Sequence, residues 1–163
     1  MATRFVGMPL AAEFPASNFA QLFRDAQFRY VLAYDGATSE TAYWTTVAPQ
    51  GWTGTITAII TYKMSSATSG GVAFDVAFEA ITSGDAVDLD ATTSFDSVNG
   101  GSDAAVPGTA GYMEQITITC SNTDSVAAGD YLRISLARDV ADAADTATTG
   151  DCHVLTLEIR DAA

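Results

Sequence analysis

The feature that most constrains this chain is a period-two alternation of apolar and polar residues that recurs along its length. Val72, Phe74, Val76 and Phe78 alternate with Ala73, Asp75, Ala77 and Glu79. Ile56, Ile60 and Tyr62 alternate with Thr55, Thr57, Thr61 and Lys63, and Leu132, Ile134 and Leu136 alternate with Tyr131, Arg133 and Ser135. The same rhythm runs through Ile116 and Ile118, and through Leu155, Leu157 and Ile159. A repeat of two sends successive side chains to opposite faces of an extended chain, so each segment reads as a strand with one buried and one wet face. An earlier pair, Arg29 to Tyr34 and Thr41 to Val47, flanks the turn-rich Asp35-Gly36-Ala37-Thr38. The alternation predicts seven strands, with an eighth expected near Val87 to Phe95.

Half-buried strands need a second layer, and two antiparallel sheets packed face to face cover every apolar side. The chain lacks a strand-helix alternation, which argues against a parallel α/β fold. Ser65 to Gly71 reads as a hairpin loop, Asp96 to Gly111 as a long crossing between sheets, and Asp139 to Gly150 as a polar loop. The expected architecture is all-β, an antiparallel jelly-roll or Greek-key β-sandwich of about eight strands. For 163 residues and 17.0 kDa, surface scaling gives ~7,700 Å² exposed when folded against ~24,600 Å² when extended, enough burial for one core without staples.

Residues 1–27 break the pattern. Phe5, Met8, Phe14, Phe19, Leu22 and Phe23 lie around Pro9 and Pro15 without alternation. After Ser17-Asn18, the residues Phe19, Leu22, Phe23 and Ala26 have the spacing of one or two helical turns. The expected division is an apolar N-terminal arm over 1–27 and a sandwich over 28–163. An arm this apolar must be covered, by its own sandwich or by another subunit or partner. The six residues named are the candidates for that interface.

Charge narrows the function. Twenty acids face seven bases, a net charge of −13. Nucleic acid phosphates need a basic surface, so nucleic acid is excluded as a main partner. With 48% hydrophobic and 17% charged residues, neither a disordered nor a membrane-spanning chain is expected. The opening MATRFVGMPLAAEFPAS starts like a secretory leader, but Pro9, Glu13 and Pro15 interrupt it, and synthesis in a reducing cytosol is the expectation.

No enzymatic constellation emerges. Gly-x-Ser-x-Gly, a P-loop, a dinucleotide fingerprint and a zinc-binding cysteine spacing are absent from the sequence. His153 is the single histidine; sharing parity with Leu155, Leu157 and Ile159, it reads as a structural residue at a strand entrance. Cys120 has the parity of Ile116 and Ile118, whereas Cys152 has that of Val154, Thr156 and Glu158. The two sulfurs are then expected on opposite sides and unbonded, unless a bulge near Cys152 resets the pleat. The expectation is a protein that is not an enzyme and holds no cofactor or metal.

Two clusters remain. Asp85, Asp88, Asp90 and Asp96, and likewise Asp139, Asp142 and Asp145, form oxygen-rich loops of the kind calcium takes. They lack the glycine and closing glutamate of an EF-hand, and solvated turns account for them. Trp44, Trp52, Tyr43 and Tyr30 supply aromatic faces on which a sugar ring can stack. By alternation Trp44 reads as a core residue. Trp52, inside Pro49-Gln50-Gly51-Trp52-Thr53-Gly54, reads as a partly exposed turn residue.

Three phrases carry a family likeness: ETAYWTTVAPQGWTGTITAIITYKMSSATSGGVAFDVAFEAI, AGDYLRISLARD and TGDCHVLTLEIRD. From Val31 to Asp161 the chain resembles small jelly-roll proteins encoded among the structural genes of tailed bacteriophages. These include capsid decoration or cement proteins and domains of head and tail fibres. The resemblance implies a structural virion protein on the capsid exterior, made in the host cytoplasm. It further implies a homotrimer that binds the major capsid protein and carries no catalytic residues. The alternative is a glycan- or host-receptor-binding module of a fibre or tail.

Overall fold

The computed structural model describes residues 2–52, 55–103 and 105–161. Its strands are β1 (Thr3–Gly7), β2 (Gln21–Arg24), β3 (Tyr30–Tyr34), β4 (Thr41–Val47), β5 (Ile56–Met64), β6 (Val72–Ile81), β7 (Asn99–Asp103), β8 (Met113–Cys120), β9 (Tyr131–Arg138) and β10 (Cys152–Asp161). They pair into two antiparallel sheets. One runs β2-β3-β10-β5-β8, with β1 also on β10, and the other runs β4-β9-β6-β7. From β3 onward the chain changes sheet at every step except β6 to β7, the crossing pattern of a jelly roll.

Alternation builds the core. Trp44 on β4 pairs with Ile134 on β9, which pairs with Phe78 on β6, so one layer of large side chains spans three strands. Ile60, Tyr62, Ile116, Ile118, Val154, Leu157 and Ile159 meet it from the other sheet. The chain exposes 7934 Å², near the value its mass dictates.

All seven strands expected from alternation are present; the departures have local causes. Val87 to Phe95 is a loop, because Asp88 folds the chain into a turn. Its carbonyl accepts the Ala91 and Thr92 N–H groups, and its side chain accepts that of Asp90. Ser65 to Gly71 crosses from β5 to β6 between sheets instead of closing a hairpin. The expected crossing Asp96 to Gly111 contains β7, whose sequence NGGSD has no apolar signal. Pairing with β6 holds it, together with Asn99, which donates to the Val76 and Asn122 carbonyls and accepts from the Ser121 and Asn122 N–H groups.

Residues 1–27, expected as an arm, supply two strands of the six-stranded sheet. Between them a strap crosses the flank: Glu13 bridges to Tyr43 and Phe19 to Thr41, along the edge of β4. The chain then joins β3 as β2. The helical turns expected after Ser17 are not formed; the short helix is a 3-10 turn at Pro9–Ala11. Because the strap changes hydrogen-bond partner along its length, its apolar residues keep no single period.

A bulge decides the faces of β10. Its register with β5 shifts between Val154 and Thr156, inserting Leu155. Cys152 and Val154 before the bulge, and Leu157 and Ile159 after it, therefore all face the core. His153 points outward, contrary to the parity reading, and its ring lies 5.6 Å from that of Phe23. Both cysteines are buried and free. They share the core, not opposite sides of the sheet, but Cys120 pairs with Ile56 and Cys152 with Met64, at opposite ends of β5. At ~3.3 Å per residue that separation is about 26 Å, beyond any disulfide.

One buried ion pair locks the loop between β9 and β10. Arg138 donates through Nε and Nη2 to the two carboxylate oxygens of Asp145, at 2.9 and 2.8 Å, and neither side chain is exposed. The same guanidinium reaches the carbonyls of Ala147 at 2.9 Å, Asp35 at 3.3 Å and Tyr34 at 3.4 Å. Asp145 also accepts the Ala73 N–H. It is thus a structural anchor, not the solvated turn residue expected.

Candidate functional site

A cleft of about 360 Å³ lies where three strands of the four-stranded sheet end. Val47 closes β4 opposite Tyr131, which opens β9, and Tyr131 pairs with Ile81 at the end of β6. All three have outward parity and form an aliphatic shelf around a phenol ring. Val47 is 62% and Tyr131 37% exposed. The loop after β6 walls the cleft with Ser83, Asp85 and Leu89.

That loop is fixed at both ends. At its start Asp85 accepts the Thr82 N–H, and the Thr82 hydroxyl donates to Asp130. Asp130 accepts the Ala127 N–H and ties in the following loop. At its far end Ser94 donates its N–H to Glu79, at 2.6 Å. Arg133 donates to the same carboxylate at 3.2 Å, and its guanidinium lies 5.0 Å from the Tyr43 ring and 5.5 Å from the Phe95 ring. Tyr43 and Phe95 stack at 5.6 Å. The Arg133 cation, two residues along β9 from Tyr131, is therefore engaged by Glu79 and covered by two rings.

The other sequence candidates sit elsewhere. Trp44 is core, as expected, with its indole N–H donating to the Met8 carbonyl. Trp52 is also buried, edge-on to Phe78, where partial exposure was expected; the turn folds inward and the indole fills the end of the core. Tyr30 lines a separate apolar hollow of about 360 Å³ with Met8, Leu10, Arg29 and Leu155. Of the six expected interface residues, Phe5 packs partly against the core, and Met8, Phe14, Phe19, Leu22 and Phe23 are 40–51% exposed. Sequence reasoning placed Tyr131 only as an outward strand residue. Its neighbours come from three distant segments, which no local pattern links.

The aspartate loops are turn builders. Asp88, Asp139 and Asp142 each accept a backbone N–H two residues ahead, and Asp96 accepts the Ser97 and Asp124 N–H groups. Among the described residues no group of three His, Cys, Asp or Glu side chains is placed to hold a metal ion. His153 lies on the other sheet, where burial, and then the charge of Lys63, lowers its pKa.

The fold is a jelly-roll β-sandwich. It resembles a family 35 carbohydrate-binding module, the CBM35 from Cellvibrio japonicus Abf62, with a TM-score of 0.52 at 10% identity over 98% of this chain and 94% of that one. It also resembles the C-terminal CBM6 of LamC, a marine laminarinase from Zobellia galactanivorans, with a TM-score of 0.53 at 16% identity over 96% and 98% of the two chains. At these identities the likeness is one of architecture. No family profile and no curated protein sequence matches the chain.

Proposed function

We propose that this chain is a non-catalytic glycan-binding module, with the cleft around Tyr131 as its sugar site. The observation that carries the reading is an exposed tyrosine ring on an aliphatic shelf, faced by a serine hydroxyl and a carboxylate. Sugars present apolar faces edged by hydroxyls, and such a mixed wall matches both. The architecture shared with carbohydrate-binding modules over nearly the full chain supports it. Asp85 is the single carboxylate among the lining residues, whereas glycoside hydrolysis takes a pair.

Titration of the purified chain against a panel of soluble polysaccharides and oligosaccharides tests the reading. Tyr131→Ala is expected to weaken the retained ligand at least ~10-fold, about 1.4 kcal/mol, with an unchanged melting temperature. A wild-type chain that binds no glycan, or a Tyr131→Ala variant that binds as wild type, rejects the cleft. Trp52→Ala is no test, since that indole supports the core.

The virion decoration role implied by the resemblance draws no support from the fold neighbours. One observation favours part of it: the exposed apolar residues of the strap suit contact with a protein. Cosedimentation with purified empty capsids tests that role directly, and a chain left in the supernatant rejects it.

A further inference from the structure

The strap that closes the flank of the sandwich creates a new edge. It covers the free sides of β4 and β3, but β2 is itself the last strand of its sheet and has one partner, β3. All four of its residues, Gln21 to Arg24, are exposed. An unpaired strand edge is a template for another strand, and proteins commonly guard it with proline, lysine or a bulge. The β2 register with β3 is unbroken, its sequence has no proline, and its middle residues are Leu22 and Phe23. The flank continues in apolar side chains: Phe14 and Phe19, whose rings are 6.0 Å apart, and Phe28, 73% exposed beneath the Arg24 guanidinium.

Charge singles out the same flank. Residues 1–34 carry Arg4, Arg24 and Arg29 against Glu13 and Asp25, a net +1; the rest of the chain carries −14. Two molecules of this charge repel over most of their surface and meet most easily here. At the exposures observed, Phe14, Phe19, Leu22, Phe23 and Phe28 offer roughly 450 Å² of apolar side chain, taking 150–250 Å² for each aromatic residue. A stable interface needs ~800 Å² per partner, a little over half of it apolar.

We propose that β2 pairs antiparallel with β2 of a second copy of this chain about a two-fold axis. Antiparallel pairing continues the sheet in its own hand and lets identical surfaces meet. With the axis at Phe23, the two Phe23 side chains face each other on one side of the sheet and Leu22 of each copy faces Arg24 of the other, so no like charges are opposed. An edge that pairs with its own copy about a two-fold closes at two molecules, which distinguishes this contact from the trimer implied by the phage resemblance. The inference is independent of the glycan cleft, which lies on the other sheet.

Sedimentation equilibrium of the full chain from about 1 to 100 µM, with hydrogen exchange at both limits, tests it. The expected species has twice the 17.0 kDa chain mass, and the β2 amides lose protection on dilution. Leu22→Lys is expected to raise the dimer dissociation constant at least 10-fold. Phe28→Asn is expected to raise it several-fold; Phe28 has φ +65°, which asparagine adopts readily, so this variant keeps the fold. A monomer at 100 µM, a trimer, or a dimer indifferent to both substitutions overturns the proposal.

Discussion

Replacing Asp145 by asparagine keeps the side-chain volume and removes the charge that balances Arg138. Burial opposes the charge on Arg138, yet its bonds to Asp145 override that and raise its pKa. A guanidinium cannot shed its proton to escape a dry site. With Asp145 neutral, a fully buried cation is left facing an amide and three carbonyls, and one acceptor of the two-pronged pair is lost. Breaking one partner of such a pair costs about 3–5 kcal/mol, a large part of the ~5–15 kcal/mol that holds a domain folded. At 2–4 °C per kcal/mol for a chain of this size, the melting temperature should fall by roughly 6–20 °C. Calorimetry reads this directly, and urea titration should show a lower midpoint at unchanged slope. The double replacement Arg138→Met with Asp145→Leu removes both charges and should melt above the single variant. An Asp145→Asn protein melting within about 2 °C of wild type, or a double variant no better than the single, refutes the claim that this pair locks the loop to the sandwich.

Two further outcomes follow from the titrating groups. The Lys63 ammonium, 2.6 Å from Asp25, together with the Arg29 N–H, holds the Asp25 carboxyl down to about 2. An unfolded aspartate titrates near 3.9, so the stability Asp25 contributes is complete above that pH and is lost as the pH falls through about 2. Asp25→Asn should flatten that acid limb in denaturant titrations between pH 2 and 5, and an unaltered limb would reject the assignment. Burial pushes the Cys120 thiol up to about 11 and the Cys152 thiol higher still. Both should resist a thiol reagent in the native protein and react on unfolding; rapid native modification of either contradicts their placement in the core.

Much of the sandwich was legible because one buried face per strand writes itself as alternation. Val72 to Phe78 and Leu132 to Leu136 are the clearest examples, each lying between two neighbours in its sheet. Legibility failed where position depends on something other than burial. Asn99 to Asp103 forms a strand through backbone pairing and one amide side chain, and carries no apolar signal. The bulge at Leu155 reversed the faces of His153 and Cys152, since one inserted residue flips everything on one side of it. The strap escaped notice because it serves two sheets in turn. The cleft was half visible. Tyr131 fell on the outward face as expected, but Val47, Ile81 and Leu89 join it only through the crossing order of the strands.

The position of β10 governs when this protein can fold. It comes after every other described strand, yet it lies inside its sheet, with β5 on one side and both β3 and β1 on the other. Before it exists, β1 has no strand to pair with, and β2-β3 and β5-β8 are two separate hydrogen-bonded pairs. At ~5–20 residues per second, the first strand waits roughly 8–30 s on the ribosome for its partner. The six-stranded sheet cannot be completed strand by strand during synthesis, and pairings this distant in sequence form slowly once they can. Until β10 is made, the six-stranded sheet cannot close over Val72 to Phe78, and holdase chaperones have their longest access to the chain then.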